Sequence, residues 1–518
     1  MRKSFLSTTT RTARSLALAL VPGALAVVQG CTDLTETPTS SITPNNFYRN
    51  ADEVLGAVAG VYAQLRSTMW GYYNLSQVTT DENIVPTRGQ DWYDNGRWLE
   101  IFRHKWGPNT ASGLDDIAGT WNDLYAGVAR ANVVIEALGK VTVPDQDIIK
   151  AEVRTLRAFY YYLLMDFFGG VPLVTTTEVK PRAQASRAEV FAFIEKELNE
   201  TRLVLPDRWP SSAYGRMTKG AANAILAGLY LNAQVFSGTV SASGLQPGAA
   251  KWAEAAAAAD RVINSGVYTL APVQASNFTA TNRNSPENIL VVRHVAQDGL
   301  GLTFIMRGIH YNQLSPSPWN GFATLAETYN AFDAADERRK AFLVGPQFEL
   351  TTGQPVKDRA GNPLVYTVDI RNPEQATEGE GARIVKFAPD PARVGGDNGN
   401  DYPYFRLAEM YLIKAEALNE QGQTAAAVPL VNQVRARNFS PAKPVAANAS
   451  QAELRDLIRK ERLFELVAEA KRRQDLIRAG RYTAPWQFKA ASEPYRILFP
   501  IPQNQIEINP LLKQNPGY

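Results

Sequence analysis

Cysteine and histidine are scarce in this chain of 518 residues, which holds only Cys31, His104, His294 and His310. A single thiol cannot form a disulfide within the chain or complete a cysteine-based zinc site. The histidines lack the HExxH spacing of zinc hydrolases. The triplet at 81–83 (Asp-Glu-Asn) could bind a cation or sugar hydroxyls, but turn and capping chemistry uses such residues more often. We therefore expect no metal site and no other cofactor.

Sequence signatures of catalysis are also missing. The chain has no GxSxG elbow, no P-loop, and no GxGxxG that opens a helix after a strand. Glu461, Glu465 and Glu469 share one helix face, and paired carboxylates carry out glycoside hydrolysis. Charged neighbours surround them in the sequence: Arg462, Arg472, Arg473 and Asp475. We interpret the glutamates as an ion-pair network between helices, and we do not expect an enzyme.

Net charge gives no sign of a nucleic-acid partner. The formal charge is +3, but four basic residues lie in the first thirty positions, where there is no acidic residue. Removing those four charges from +3 leaves −1 for the rest of the chain. A near-neutral body lacks the basic surface that nucleic-acid binding needs. Its 45% hydrophobic and 20% charged content is that of an ordinary globular protein.

The N-terminus has the order of a secretory signal. Residues 1–30 combine a basic start with the apolar run SLALALVPGALAVV and a short neutral end. Cys31 follows Val28-Gln29-Gly30, which matches the lipobox of bacterial lipoproteins, where the cysteine is lipidated as the signal is removed. The polar, Thr- and Pro-rich residues 31–46 indicate an extended tether. We expect a protein that is anchored to a membrane surface through Cys31.

Helical periodicity dominates the remainder. In FRLAEMYLIKAEALNEQG (405–422), apolar residues recur every three or four positions, and Gly422 ends the run. Further helical segments bring the number to about four helix pairs. Since one pair cannot bury its apolar faces alone, the pairs must stack, as in a tetratricopeptide-like repeat. The sequence predicts a mainly α fold with a helical scaffold over 47–285 and 402–518.

Between residues 286 and 401 the helical periodicity gives way to a different sequence pattern. Strand-like pieces (NILVVRHV, PLVYTVDI and ARIVKFAP) alternate there with loops rich in Gly, Asn, Asp and Pro. We interpret this stretch as a long irregular insertion with short strands, packed on the helical half within one domain over 47–518. Aromatic residues without helical or alternating period concentrate in two stretches, 69–106 and 310–322. Loops lie at the surface, so these rings predict a recognition surface, with core packing as the alternative for each ring.

Six sequence blocks together resemble the SusD/RagB family of outer-membrane nutrient-binding lipoproteins. They are the lipobox with DLTETPTSSITPNNFY, AEVRTLRAFYYYLLMDFFGGVPLV, YGRMTKGAANAILAGLYL, FRLAEMYLIKAEALNEQG, ERLFELVAEAKRRQDLIRAG and LFPIPQNQIEINPLLKQNPGY. The resemblance implies a tetratricopeptide-like scaffold, a ligand site on the irregular half, and a lid-like position over a TonB-dependent, SusC-like transporter barrel at the cell surface.

In family members with glycan sites, the binding aromatics come from the loop after the first helix and from the insertion. By this regional correspondence the candidate ligand-binding residues are Trp70, Tyr72, Tyr73, Trp92, Trp98, Tyr311 and Trp319. Flat aromatic faces stack on sugar rings while neighbouring polar side chains bond the hydroxyls, so our hypothesis is a protein that captures an oligosaccharide and passes it to the transporter without catalysis. A peptide ligand on the same fold, a helical glycoside hydrolase, and a scaffold that binds a partner protein with its aromatics mostly buried are the alternatives.

Overall fold

The computed structural model describes residues 48–518. The predicted signal over 1–30, the lipidation site Cys31 and the tether over 31–46 lie outside the described residues. Phe47–Tyr518 form one compact unit, to which the following description applies. Within residues 48–518, no helix combines the length and the apolar character needed to cross a membrane.

Helices make up most of this unit. In chain order they are α1 (Ala51–Ala63), α2 (Gly71–Val78), α3 (Arg97–Phe102), α4 (Ala118–Ala137), α5 (Gln146–Phe168), α6 (Arg187–Thr201), α7 (Lys219–Leu231), α8 (Ala233–Phe236), α9 (Trp252–Ile263), α10 (Phe304–Gly308), α11 (Ala326–Ala331), α12 (Leu407–Glu420), α13 (Thr424–Arg435), α14 (Gln451–Leu466), α15 (Arg472–Arg478) and α16 (Gln503–Ile508). Short 3-10 turns connect several of them.

The helices form four stacked pairs, which confirms the predicted repeat scaffold. α1 packs on α4, α5 on α6, α7 on α9, and α12 on α13. Neighbouring pairs meet through α4 and α5, α6 and α7, and α9 and α12. One core runs from α1 to α12, and α13 packs on α12 through two smaller clusters. Gly127 of α4 permits close packing, because a Cβ there would overlap the Tyr160 ring of α5.

Local sequence signals set several helix ends. Ser186 and Glu189 form the predicted capping box at the start of α6, in which the Ser186 hydroxyl accepts a hydrogen bond from the Glu189 amide. Gly422 follows α12 with φ +76°, a conformation that glycine adopts without strain. These caps satisfy backbone groups that the helix itself leaves without partners.

Four two-stranded antiparallel sheets accompany the helices. Their strands are β1 (Thr239–Ser241) with β2 (Gly244–Gln246), β3 (Asn288–Val292) with β8 (Tyr402–Arg406), β4 (Phe342–Leu343) with β7 (Arg383–Ile384), and β5 (Gly345–Pro346) with β6 (Val365–Tyr366). The β3–β8 pair closes the base of the insertion, because Val292 lies opposite Tyr402 and Asn288 opposite Arg406. Between these strands the chain is mostly loop, as predicted.

The helix α2 corrects the expectation of irregular backbone after the first helix. All eight of its residues, Gly71–Val78, are buried. A helix that is enclosed on every side has no solvent face, so its sequence shows no amphipathic period. Its polar residues have structural uses, since Asn74 Oδ1 accepts a hydrogen bond of 2.8 Å from Arg307 of the insertion.

The three glutamates of the α14 region form the predicted ion-pair network, but with partners that the sequence did not indicate. Their cations come from the insertion, from β8, and from the end of α13 and the turn after it: Arg338, Lys386, Arg406, Arg435 and Arg437. The basic residues near the glutamates in sequence bond elsewhere instead, Arg462 to Asp475, Arg472 to Asp81, and Arg473 to Asp166. The network therefore ties the insertion to the helical scaffold.

Candidate functional site

Three of the seven predicted ligand-binding aromatics lie in the core. Tyr72, Tyr73 and Trp98 are 3%, 5% and 1% exposed, which corrects the surface position expected for them. Tyr72 stacks on Phe167, with ring centroids 4.4 Å apart, and Tyr73 stacks on Phe304 at 3.9 Å. These buried rings offer little surface to a ligand, and Trp98 packs edge to face on Trp92 with ring centroids 5.4 Å apart.

The other four rings reach the surface, and we call them the aromatic surface: Trp70, Trp92, Tyr311 and Trp319. Trp70 is the most open of them, at 42% exposed. Its indole meets Trp319 edge to face, with ring centroids 6.3 Å apart at 69°. Trp70 and Trp319 are 249 positions apart in the chain. The two aromatic stretches that composition indicated therefore come together in the folded protein.

A buried arginine fixes the position of Trp70. The Arg307 guanidinium lies 4.5 Å from the centre of the indole ring and is itself only 3% exposed. It donates hydrogen bonds to Asn74 Oδ1 at 2.8 Å and to the Met69 carbonyl at 2.9 Å. Burial lowers the pKa of Arg307 to about 10, which leaves it charged at neutral pH.

Trp92 connects the two aromatic stretches. Its Nε1 donates a hydrogen bond of 2.6 Å to the carbonyl of Trp319. The indole lies directly against Gly321, where a Cβ would overlap the ring. Trp92 also has φ +61°, a conformation that costs a non-glycine residue energy and that the surrounding contacts must maintain. Trp92 therefore positions the 319–321 loop.

A polar group borders the aromatic surface at Tyr311. The Tyr311 hydroxyl donates to Asp91 Oδ2 at 2.6 Å, and Arg359 donates to the same oxygen at 2.7 Å. The Arg359 guanidinium lies 4.4 Å from the centre of the Tyr311 ring and also pairs with Glu378. Glu378 Oε2 lies 2.8 Å from His310 Nε2. The result is a chain of hydrogen bonds along one side of the rings.

Burial and hydrogen bonds determine the ionisation states of Glu378 and His310. Burial raises the pKa of Glu378, but hydrogen bonds from Arg359 and His310 outweigh it and lower the value to about 2. Burial lowers the pKa of His310, so this imidazole is neutral at pH 7. Both carboxylates bind Arg359, and the lowered pKa of Glu378 is the opposite of the raised value that a general acid needs. The arrangement suits binding through hydrogen bonds rather than proton transfer.

Buried arginines hold the loops around the aromatic surface. Arg88 Nε donates to the Asn320 carbonyl at 3.0 Å, and its Nη2 donates to the Glu380 carbonyl at 2.8 Å. Arg383 donates to the same Glu380 carbonyl at 2.7 Å and to the Glu378 carbonyl at 2.8 Å. Three segments that are distant in sequence are thereby fixed relative to one another.

Sequence reasoning missed several residues beside the aromatic surface. Tyr93 is 57% exposed next to Trp92, and the D-N-G turn signal that follows it could have indicated its position. No signal predicted Arg359, Asp91 or Glu378, because Arg359 and Asp91 are 268 positions apart. Within residues 48–518 there is no cluster of three or more His, Cys, Asp or Glu side chains that could hold a metal ion.

The triplet at 81–83 has a structural use. Asp81 pairs with Arg472, and buried Glu82 accepts a hydrogen bond of 3.2 Å from the Ala468 amide. Burial raises the pKa of Glu82 to about 8, so this carboxyl is mostly protonated at neutral pH. A protonated carboxyl that is tied to the backbone is a poor cation ligand, which favours the structural interpretation.

Two protein-family models match parts of this chain. The model described as "SusD family" matches residues 320–490, and the model described as "Starch-binding associating with outer membrane" matches residues 38–231. The chain is 25% identical to SusD-like protein P2 of Formosa agariphila, over 95% of this chain and 98% of that protein. It is also 25% identical to the starch-binding protein SusD of Bacteroides thetaiotaomicron, over 86% of this chain and 85% of that protein.

Solved structures share the fold at lower sequence identity. A laminarin-binding SusD-like protein superposes with a TM-score of 0.71 and 24% identity, over 90% of this chain and 100% of that chain. Surface glycan-binding protein A from Bacteroides thetaiotaomicron, in complex with laminarihexaose, gives a TM-score of 0.72 and 23% identity, over 90% of this chain and 99% of that chain. These similarities extend over nearly the whole described chain.

Proposed function

The chain belongs to the SusD family, and from that premise we propose that it captures an oligosaccharide at the aromatic surface and delivers it to a TonB-dependent transporter barrel. In this proposal Cys31 carries the lipid that anchors the protein to the outer membrane, with the aromatic surface facing the cell exterior. The protein binds and transfers its ligand and does not cleave it.

One observation carries the glycan part of the proposal. The exposed Trp70 indole and the edge-on Trp319 lie at the surface beside fixed hydrogen-bonding groups. The C–H face of a sugar ring packs on an indole, and its hydroxyls both donate and accept hydrogen bonds. Asp91 and Arg359 supply an acceptor and a donor at the edge of the rings. The relatives named for starch and laminarin support the same ligand class.

The three glutamates that were candidate catalytic residues for a glycoside hydrolase are not accessible to a substrate. Glu461 and Glu465 are fully buried and Glu469 is 2% exposed, and each accepts hydrogen bonds from arginine or lysine. A hydrolase of this type needs two carboxylates that face each other across an open cleft, about 5–10 Å apart. A peptide ligand stays as the second candidate, since hydrogen-bonding groups beside aromatic rings also suit backbone amides.

The experiment begins with glycan and peptide arrays probed with the protein lacking residues 1–31, which retains every residue that the structure describes. Calorimetry then measures the best ligand against Trp70→Ala and Trp319→Ala. We expect each substitution to weaken binding by about 1–3 kcal/mol if its ring stacks on the ligand. Trp209→Ala, which removes a tryptophan outside the aromatic surface, is the matched control and should bind normally.

Two results would contradict the glycan proposal. Wild-type affinity in both Trp70→Ala and Trp319→Ala would show that the ligand binds elsewhere, and array signals confined to peptides would favour the second candidate.

The proposed delivery to a transporter has its own test, which is co-purification of a barrel protein with the tagged full-length protein from solubilised membranes. Recovery of the tagged protein without a barrel would contradict that part alone.

A further inference from the structure

A second concave region lies between α1 and β3, on residues that the aromatic surface does not use. This α1–β3 groove has a volume of about 630 Å³ and is lined by α1, the 212–216 loop and the 291–295 strand end. Small-molecule sites in proteins typically enclose about 300–1,000 Å³ and combine apolar walls with a few polar groups. The groove therefore has the size and the composition of a ligand site.

Helix α1 supplies an apolar stripe that the core leaves uncovered. Val54, Val58 and Val61 are buried in the core, as expected for one face of an amphipathic helix. A second stripe, at a spacing of four, carries Leu55 and Ala59 on the groove side. Leu55 is 36% exposed, although it is a large apolar side chain. An apolar helix face that is open to water favours binding of an apolar group.

Two arginines at the groove have no ionic partner. In the part of the chain that the structure describes, the guanidinium groups of Arg66 and Arg293 make no ion pair and no hydrogen bond, although both line the groove. Gly215, with φ +90°, lets the Arg293 stem cross it closely, because a Cβ there would lie 2.7 Å from Arg293 Cδ.

The other charged groups of the groove are already satisfied. Arg216 pairs with Glu152, and the Tyr62 hydroxyl bonds the same carboxylate, so this cation and this acid neutralise each other. Arg293 also influences Asp401, but this acid is fully buried and its Oδ1 already accepts a hydrogen bond from the His294 amide. The groove therefore presents apolar walls and two unpaired positive charges.

We propose that the α1–β3 groove binds a small amphiphilic anion, consisting of an apolar body that covers Leu55 and Ala59 and a carboxylate that pairs with Arg66 and Arg293. Carboxylates form strong charge-assisted hydrogen bonds with guanidinium groups, and burial of the apolar body adds the hydrophobic contribution. The site is independent of the proposed glycan binding, because the two surfaces share no residue.

Decanoate is a suitable probe, titrated by calorimetry at pH 7.4 below its micellar concentration into the protein lacking residues 1–31. We expect saturable binding with one site. Acetate lacks the apolar body and decyltrimethylammonium carries the opposite charge, so neither should bind detectably. The double variant Arg66→Gln/Arg293→Gln should weaken decanoate binding at least about tenfold, since it removes two charge-assisted contacts.

Two further variants separate binding from folding. Ala59→Trp fills the groove from an exposed helix position and should also weaken decanoate binding by about tenfold or more. Lys150→Gln, which removes an exposed charge on α5, is the matched control and should bind as the wild type does. All variants should keep the wild-type melting temperature and glycan affinity, which shows that the aromatic surface is intact. If Ala59→Trp has a lowered melting temperature, the proposal is judged on decanoate binding by the double arginine variant alone.

Three outcomes would overturn the proposal. Decanoate binding that is unaffected in both groove variants would place the ligand elsewhere. Equal binding of decyltrimethylammonium would show apolar adsorption without a role for the arginines. Displacement of decanoate by a synthetic peptide of leucine and glutamate, at a lower concentration than decanoate itself needs, would mean that the groove docks a protein segment instead of a small ligand.

Discussion

Replacement of Glu465 by glutamine tests whether the buried ion-pair network stabilises the fold. Glu465 is fully buried in α14, and its Oε1 accepts hydrogen bonds from Arg406 at 3.0 Å and Arg437 at 2.7 Å. Its Oε2 accepts a hydrogen bond from Arg338 at 3.1 Å. Burial raises the pKa of this carboxyl, but the three guanidinium groups outweigh burial and leave the pKa far below 4.5.

The structure sets the expected magnitude. Removal of one partner from a buried ion pair costs about 3–5 kcal/mol, because it leaves a buried charge without compensation. Here Arg338 keeps Glu461, while Arg406 and Arg437 keep Glu287, so the lower limit of about 3 kcal/mol applies. Unfolding entropy near 2.1 cal/mol/K per residue, over about 470 residues, gives about 1 kcal/mol per degree. The melting temperature of Glu465→Gln should therefore fall by about 3 °C.

Differential scanning calorimetry provides the measurement, with Glu507→Gln as the control. Glu507 is exposed on α16, so the same chemical change there should leave the melting temperature unaltered. The folded carboxylate of Glu465 has a lowered pKa, so its stabilising effect exists above pH 4.5 and disappears as the pH falls below that value. The variants should converge in acid. An unchanged melting temperature for Glu465→Gln at pH 7 would refute the reasoning.

Three further changes test other parts of the molecule. Cys31→Ala should move the protein from the membrane fraction to the soluble fraction, and unchanged detergent partitioning would refute lipidation. Burial raises the pKa of Glu82 from 4.5 to about 8, so wild-type stability should decline as the pH rises from 4.5 to 8, and Glu82→Gln should flatten that slope in urea titrations at several pH values. Gly321→Ala should displace the Trp92 indole, lower the free energy of unfolding by about 1–3 kcal/mol and weaken glycan binding, whereas normal affinity would show that the position of Trp92 is unimportant.

The scaffold was predictable because its signals are local. A capping box needs only Ser186 and Glu189, three positions apart, and both hydrogen bonds of the box are present in the structure. Amphipathic periods identified the four helix pairs for the same reason. The helix Gly71–Val78 escaped prediction because it is buried on all sides, and a helix without a solvent face has no hydrophobic period to detect.

The candidate site was predictable only by region. The concentration of aromatic residues indicated the stretches that hold Trp70 and Trp319, which do meet at the surface. Composition could not show which rings face inward, because α2 turns Tyr73 into the core while Trp70, three positions earlier, stays open. The bond between Arg359 and Asp91 joins residues 268 positions apart, and no spacing rule connects positions at that distance.

The buried arginines explain how irregular loops can present a fixed aromatic surface. Burial lowers the pKa of both Arg88 and Arg383, which shows that the protein interior disfavours these charges. Both nevertheless donate to the carbonyl of Glu380, and Arg88 also donates to that of Asn320, next to Trp319. Loops that must become ordered on binding reduce affinity through lost conformational entropy. Since these bonds order the loops before the ligand arrives, the energetic cost of burying two cations falls on folding, and the free energy of ring stacking remains available for binding.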